Sequence, residues 1–220
     1  MGIAFISSKR PLPGLLRSRF LLSLAAMLAL PVFVPAARAQ EMIARLDPAQ
    51  TKIEFTLGAT FHTVHGIFKL KSGTIQFDPS TGAMQGVIIV DATSGDSGNG
   101  IRDRRMHREI LESGRFPEIT FTPRKMTGAL SANIPSKLEI AGQLRLHGLD
   151  HDVTIPVNVL PDGRQLHLTA RLIIPFVQWG LKDPSTFFLR VSNKVTIDID
   201  GVGRFTNAGG ASPGNSPGTF

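Results

Sequence analysis

Apolar and polar residues alternate through most of the chain between Met42 and Arg204. The apolar series are Ile53, Phe55 and Leu57; Phe68 and Leu70; Ile75 and Phe77; Ile119 and Phe121; Leu138, Ile140, Leu144 and Leu146; Val153, Ile155, Val157 and Val159; Leu166, Leu168 and Leu172; and Val195, Ile197 and Ile199. A period of two places all members of a series on one face of an extended strand, so each strand has an apolar side and a wet side. Gly, Pro, Asn and Asp, the residues that turns require, separate the series. One-sided strands in hairpin succession, without βαβ alternation, predict an all-β fold: a closed up-and-down antiparallel barrel of about eight strands with one short helix.

The hairpin around Gly148 is expected to pair Leu146 with Val153, Leu144 with Ile155 and Ile140 with Val159, which turns the apolar residues of both strands to one side. One segment breaks the alternation. Ile101 to Ser113 carries Met106, Ile110 and Leu111 at helical spacing, with Asn99 placed to cap its start and Gly114 to end it. The preceding run Val87-Ile88-Ile89-Val90 is apolar on both faces, which predicts that the helix covers the outer side of that strand against the barrel wall.

Charge changes the picture only after it is located. Lys+Arg number 24 and Asp+Glu 17, a net +7. Lys9, Arg10, Arg17, Arg19 and Arg38 lie in residues 1–39, which hold no acid, leaving 19 basic and 17 acidic residues in the remainder. That remainder lacks the basic footprint of a phosphate-backbone binder, so no nucleic-acid partner is expected. Within residues 1–39 a basic stretch ending at Arg19, an apolar run from Phe20 to Val34 and Ala37-Arg38-Ala39 read as a secretory signal peptide cleaved before Gln40, which implies a periplasmic or secreted location. The alternative, a membrane anchor, is disfavoured because the apolar run holds Pro31 and falls short of the roughly 20 residues that span a bilayer. Residues 40–204 form the barrel, and the Gly/Pro/Ser-rich residues 205–220 are expected to be disordered. With no cysteine, disulfide frameworks and thiolate metal sites are excluded.

The order and spacing of several short motifs resemble the YceI-like family of lipid- and polyisoprenoid-binding proteins. They are Leu46-Asp47-Pro48 followed by Thr51 to Leu57, Val64-His-Gly-Ile-Phe68, Gly73 to Pro79, Arg102-Asp103, Phe116 to Phe121, Gly142 to Gly148 and Trp179-Gly180-Leu181. The resemblance implies a lipocalin-like barrel whose apolar lumen takes an isoprenoid chain, such as a quinone or prenyl pyrophosphate, or another amphipathic lipid. This chain departs from the family where it carries Ala44 in place of a frequent aromatic, and Gln50 and Ala59 near positions where histidines occur. The alternation alone leaves a hollow lumen and a core filled by the same side chains equally open.

The expected lumen residues are Phe55, Leu57, Phe68, Phe77, Phe121, Leu144, Leu146, Ile155, Val157, Leu168, Leu172, Phe176 and Trp179. Phe187 and Phe188 extend an aromatic-rich stretch that either lines or lids the opening or belongs to ordinary core. Arg102 and Arg105 are candidate contacts for an anionic headgroup, and with Arg104 and Arg108 they allow transient contact with a membrane surface; the alternative is a solvated helix partly neutralised by Asp103, Glu109 and Glu112. No catalytic residue, metal or cofactor other than the bound lipid is expected. The histidine pairs His147/His151 and His62/His65 are expected to diverge across their strands, and no Gly-x-Ser-x-Gly elbow is present. Two rivals stay open: a small-substrate enzyme using His65 or His107, and a ligand-free module that recruits a protein through the basic helix. Oligomeric state is open, a homodimer through an exposed edge or the helix being one outcome.

Overall fold

A computed structural model describes residues 41–131 and 133–207. The expected signal peptide, residues 1–39, lies outside the described residues. The described chain forms nine antiparallel strands: β1 (Met42–Leu46), β2 (Lys52–Gly58), β3 (Thr63–Phe77), β4 (Met84–Asp96), β5 (Glu118–Thr127), β6 (Ser136–Leu146), β7 (Leu149–Asp162), β8 (Gln165–Ile174) and β9 (Val195–Asn207). They close into a barrel of eight staves. β1 and β2 share one stave, because both lie between β3 and β9: β1 pairs with their C-terminal ends and β2 with their N-terminal halves. A 3-10 turn at Pro48–Gln50 interrupts that stave, started by Asp47, whose carboxylate accepts from the Ala49 N–H at 2.9 Å. Pairing of β3 with β4 completes the ring, so among the described residues every strand pairs with a neighbour on each side, although β8 covers only Val157–Asp162 of β7.

The alternation in the sequence becomes rungs across the sheet. Phe68, Ile53, Ile199, Ala170, Val157 and Leu138 pair in succession from β3 through β2, β9, β8 and β7 to β6. All six turn inward, because residues directly opposite one another share a face.

Four expectations need correction. In the β6–β7 hairpin Leu144 pairs with His151 and Ile140 with Ile155, a register four residues tighter than expected. His147 and Gly148 both take positive φ, 53° and 77°, so they make a two-residue turn that lets the strands zip to Leu146 and Leu149. A slip of four keeps the parity of every side chain, so the inward set is unchanged. Second, β9 continues through Phe205, Thr206 and Asn207, which pair with Ala44, Ile43 and Met42. The expected tail therefore starts at least three residues too early, and its remainder lies outside the described residues.

Third, the helix ends before Gly114. It comprises α1 (Gly100–Arg105) and a π-helical turn at Met106–Ile110, closed by the Leu111 N–H donating to the Met106 carbonyl at 2.8 Å. Glu112 at φ 44° stops it, and its carbonyl accepts from Arg115 and Phe116. The Asn99 cap forms as expected, its side-chain oxygen accepting from the Ile101 and Arg102 N–H groups at 3.1 Å each. Fourth, the helix does not cover the outer face of β4, where Val87 is 37% exposed. It crosses one end of the barrel, with Met106 and Leu111 packed on the cluster of Ile53, Phe55, Val64, Phe68 and Leu70. Gly95 permits this approach, since a Cβ there would stand 2.7 Å from Met106 Cε and 2.6 Å from Phe68 Cε1.

Candidate binding cavity

The inward rungs do not fill the barrel. An inner chamber of about 200 Å³ is lined by residues from all eight staves. Its lining is aliphatic and aromatic apart from the Thr51 hydroxyl and the thioethers of Met84 and Met126. Phe77 and Phe205, edge to face at 5.9 Å between centroids, stand in its lining with Met84 and Leu130 at the end formed by β1 and the start of β4. An outer chamber of about 490 Å³ lies toward the helix. Phe68, Ile119, Ile174 and Ile197 line both chambers, so the two stack along the barrel axis and abut at that waist.

Polar groups gather only in the outer chamber, where His62, Ser97, Asn99, Arg102 and Arg105 join the lining. Arg102 is held by Ser97: Nε donates to the hydroxyl at 2.7 Å and Nη2 to the carbonyl at 2.8 Å. Asp103 accepts from the Ser97 N–H at 3.0 Å and from its hydroxyl, tying the start of the helix to the end of β4. Burial works to raise the Asp103 pKa, but the Ser97 hydrogen bonds and the Arg102 charge outweigh it and hold the carboxyl below its ordinary value. Arg105 shares Glu109 with Lys182, at 3.6 and 2.7 Å, and the hydrogen bond from Lys182 holds the Glu109 carboxyl low. The mouth thus presents fixed cationic groups above an apolar shaft.

Of the expected lumen residues, Phe77, Phe121, Leu144, Ile155, Val157, Leu168 and Leu172 line the inner chamber, Phe55, Leu57, Leu146 and Phe176 the outer, and Phe68 both. Trp179 lines neither, a correction with a local cause. The Leu181 N–H donates to the Phe176 carbonyl and Gly180 takes φ 90°, so the turn after β8 points Phe176 and Leu181 inward. Trp179 instead stacks on His151, centroids 4.0 Å apart and planes 4° apart. Phe187 and Phe188 do not serve as core either, at 90% and 82% exposure.

The alternation points to residues such as Ile53, Ile75 and Ile199, which also line the cavity. It carried no signal for the mouth, built from Ile101 and Met106 of the helix and Leu181, Pro184, Leu189 and Val191 of the irregular segment between β8 and β9. Ala44 and Ala59, two of the departures noted in the sequence, line the inner and outer chambers respectively.

The histidines of the enzyme alternative are engaged in structure. His107 Nε2 donates to the Gly95 carbonyl at 2.8 Å, which leaves Nδ1 to accept from the buried Ser113 hydroxyl at 3.0 Å. His65 Nδ1 meets the Thr56 hydroxyl at 3.1 Å on the exposed face of the sheet.

A profile of the YceI-like domain matches residues 45–202. A UPF0312 protein of Vibrio parahaemolyticus is 30% identical over 152 residues, covering 67% of this chain and 76% of the relative. A UPF0312 protein of Vibrio vulnificus is 30% identical over 146 residues, covering 64% of this chain and 72% of the relative. Among solved structures, Burkholderia cenocepacia BcnA superposes with a TM-score of 0.61 at 22% identity, covering 71% of this chain and 98% of that one. A polyisoprenoid binding domain from Saccharophagus degradans superposes with a TM-score of 0.55 at 15% identity, covering 73% and 97%. These two share the fold. The match extends from Arg45 in β1 to Val202 in β9, over most of the barrel around the two chambers: the chain belongs to the YceI-like domain family.

Proposed function

We propose that this protein binds one long apolar or amphipathic guest, an isoprenoid such as a quinone or prenyl pyrophosphate or a comparable lipid, and carries or sequesters it outside the inner membrane. The carrying observation is the polarity gradient along one axis: an almost purely hydrocarbon inner chamber abuts an outer chamber whose polar groups gather at the mouth. Sheathing a hydrocarbon tail in such a shaft is favourable at about 0.8 kcal/mol per CH₂. The fixed guanidinium of Arg102 and the neighbouring Arg105 suit an anionic or polar head at the opening. The polyisoprenoid binding named for the Saccharophagus degradans domain supports the same class of guest. Binding by burial needs no catalytic group, and export follows from the signal-peptide reading of residues 1–39.

The test is native mass spectrometry of the protein purified from its own envelope without detergent, followed by extraction and identification of the released species. A mass increment resolving to a prenyl chain, quinone or fatty amphiphile is expected. Leu144→Arg and Ile155→Arg, each placing a charge in the inner chamber, are expected to abolish uptake. An apo mass that persists after incubation with quinones, prenyl phosphates and fatty amides, or full uptake by a folded Arg variant, overturns the reading.

A further inference from the structure

The turn that rims the outer chamber is built against the usual chemistry of turns. The Thr186 N–H donates to the Leu189 carbonyl at 2.8 Å, and the residues between them are Phe187 and Phe188. Corner positions of a turn ordinarily hold Gly, Asn, Asp or Pro, whose backbone preferences and local hydrogen bonds suit the bend. Here two phenyl rings, edge to face at 4.9 Å, project with 90% and 82% of their surface exposed. A third joins them from the β2–β3 loop: Phe61, 79% exposed, adjoins Thr60, whose N–H donates to the Arg190 carbonyl at 2.9 Å and whose hydroxyl accepts from the Arg190 N–H at 3.1 Å. Ile101, at the start of the helix and 74% exposed, stands on the same rim.

Charge accompanies the exposed rings. The helix (100–110) and the rim segment 182–191 carry Arg102, Arg104, Arg105, Arg108, Lys182 and Arg190 against Asp103, Glu109 and Asp183. That local excess of basic side chains exceeds the excess of 19 basic over 17 acidic residues in the whole chain after residue 39, so the rest of the barrel is not cationic. Exposed aromatics beside basic side chains on one rim are the arrangement by which a protein seats on an anionic lipid surface: rings enter the headgroup boundary while the cations meet lipid phosphates.

From this we infer that the rim of the outer chamber, with Phe61, Phe187 and Phe188 as anchors and the helix and Arg190 as its cationic border, docks on anionic bilayers mouth first. The occupant is a bilayer rather than a protein, because the anchors sit on two turns around an opening and basic side chains outnumber acidic ones on the helix and the rim segment that border it. Docking in this pose faces the outer chamber toward the lipid, so a guest leaves the bilayer without crossing water.

The test uses guest-free vesicles of phosphatidylcholine alone and of phosphatidylcholine mixed with phosphatidylglycerol, co-sedimented with the purified protein at low and high salt. Sedimentation with the anionic vesicles only, weakened by salt, is expected. The double variant Phe187→Ser/Phe188→Ser is expected to lower partitioning roughly tenfold or more, and Arg108→Glu/Arg190→Glu to remove the preference for anionic lipid. None of these four residues lines either chamber, so quinone retention in the mass spectrometer should survive in both variants. Equal partitioning of wild type and Ser variant, equal binding to both vesicle types, or a dimer that the Ser variant dissociates while vesicle binding is absent overturns the docking inference. Vesicle binding without guest uptake supports docking and counts against the carrier reading alone.

Discussion

The Phe55 ring lies directly over Gly66. A Cβ at position 66 would stand 2.3 Å from Phe55 Cζ and 2.5 Å from the Asp96 carbonyl oxygen. Phe55 in turn meets Phe68 at 5.4 Å between centroids, so the glycine sets where two aromatic walls of the outer chamber stand. Gly66→Ala is therefore expected to push Phe55 off its seat and cost about 1–3 kcal/mol, as overpacking does. Chemical denaturation reads the loss of stability. Reduced uptake of bulky guests by the folded variant reads the narrowed chamber.

Ala44 lines the inner chamber opposite Ile75 and Phe205. Ala44→Phe fills space that a guest's tail end would reach, so affinity should fall more for long tails than for short ones, by roughly 0.8 kcal/mol for each methylene left unburied. Titration of a homologous series of fatty or prenyl guests checks this, and an equal loss at every length would place the tail elsewhere.

Asn99 supplies both side-chain hydrogen bonds to the first turn of the helix. Asn99→Ala should cost about 1 kcal/mol. Hydrogen exchange in residues 100–110 should accelerate while the exchange of β6 and β7 stays slow, because the helix crosses the barrel end and contributes no stave.

His107 bridges the π-helical turn to β4 through the Gly95 carbonyl and to the buried Ser113 hydroxyl. His107→Ala leaves both groups without that partner and should destabilise by about 1–3 kcal/mol. Guest affinity should change little at temperatures where the variant is folded. Turnover of a small hydrophobic substrate that this substitution abolishes without loss of stability would favour the enzyme alternative.

The Asp103 carboxyl is held below its ordinary value, so its clamp on Ser97 contributes stability that is fully present above the unfolded-state pKa. As pH falls below about 4 and through the depressed folded value, that contribution is lost. Hydrogen exchange or proteolysis of the 97–110 segment should therefore increase with acidification through that range. Asp103→Asn should remove the step and leave the segment equally open at neutral pH.

How much of this was legible in the chain follows from the range of each interaction. Alternation is a local property, so the residues between β2 and β9 carried their own inward or outward assignment, and most expected lumen positions line one chamber or the other. The Asn99 cap was legible for the same reason. Parity cannot see an even slip, and so the β6–β7 register rested on whether His147 would take the left-handed conformation beside Gly148, which only the closed hairpin settles. Trp179 misled because aromatic content carries no direction in an irregular segment; the turn at Gly180 sends it to His151.

Fold class, family and the apolar face of each strand are readable from the chain alone, because these depend on side-chain chemistry at spacings the backbone imposes within a few residues. Tertiary structure alone decided that β1 and β2 share a stave, that the helix crosses the mouth instead of the wall, and that the lumen stays hollow with its polar groups at one end. Those features depend on contacts between residues far apart in the chain, such as Ala44 with Phe205 and Thr60 with Arg190, where ring closure and packing volume, not local periodicity, select the arrangement.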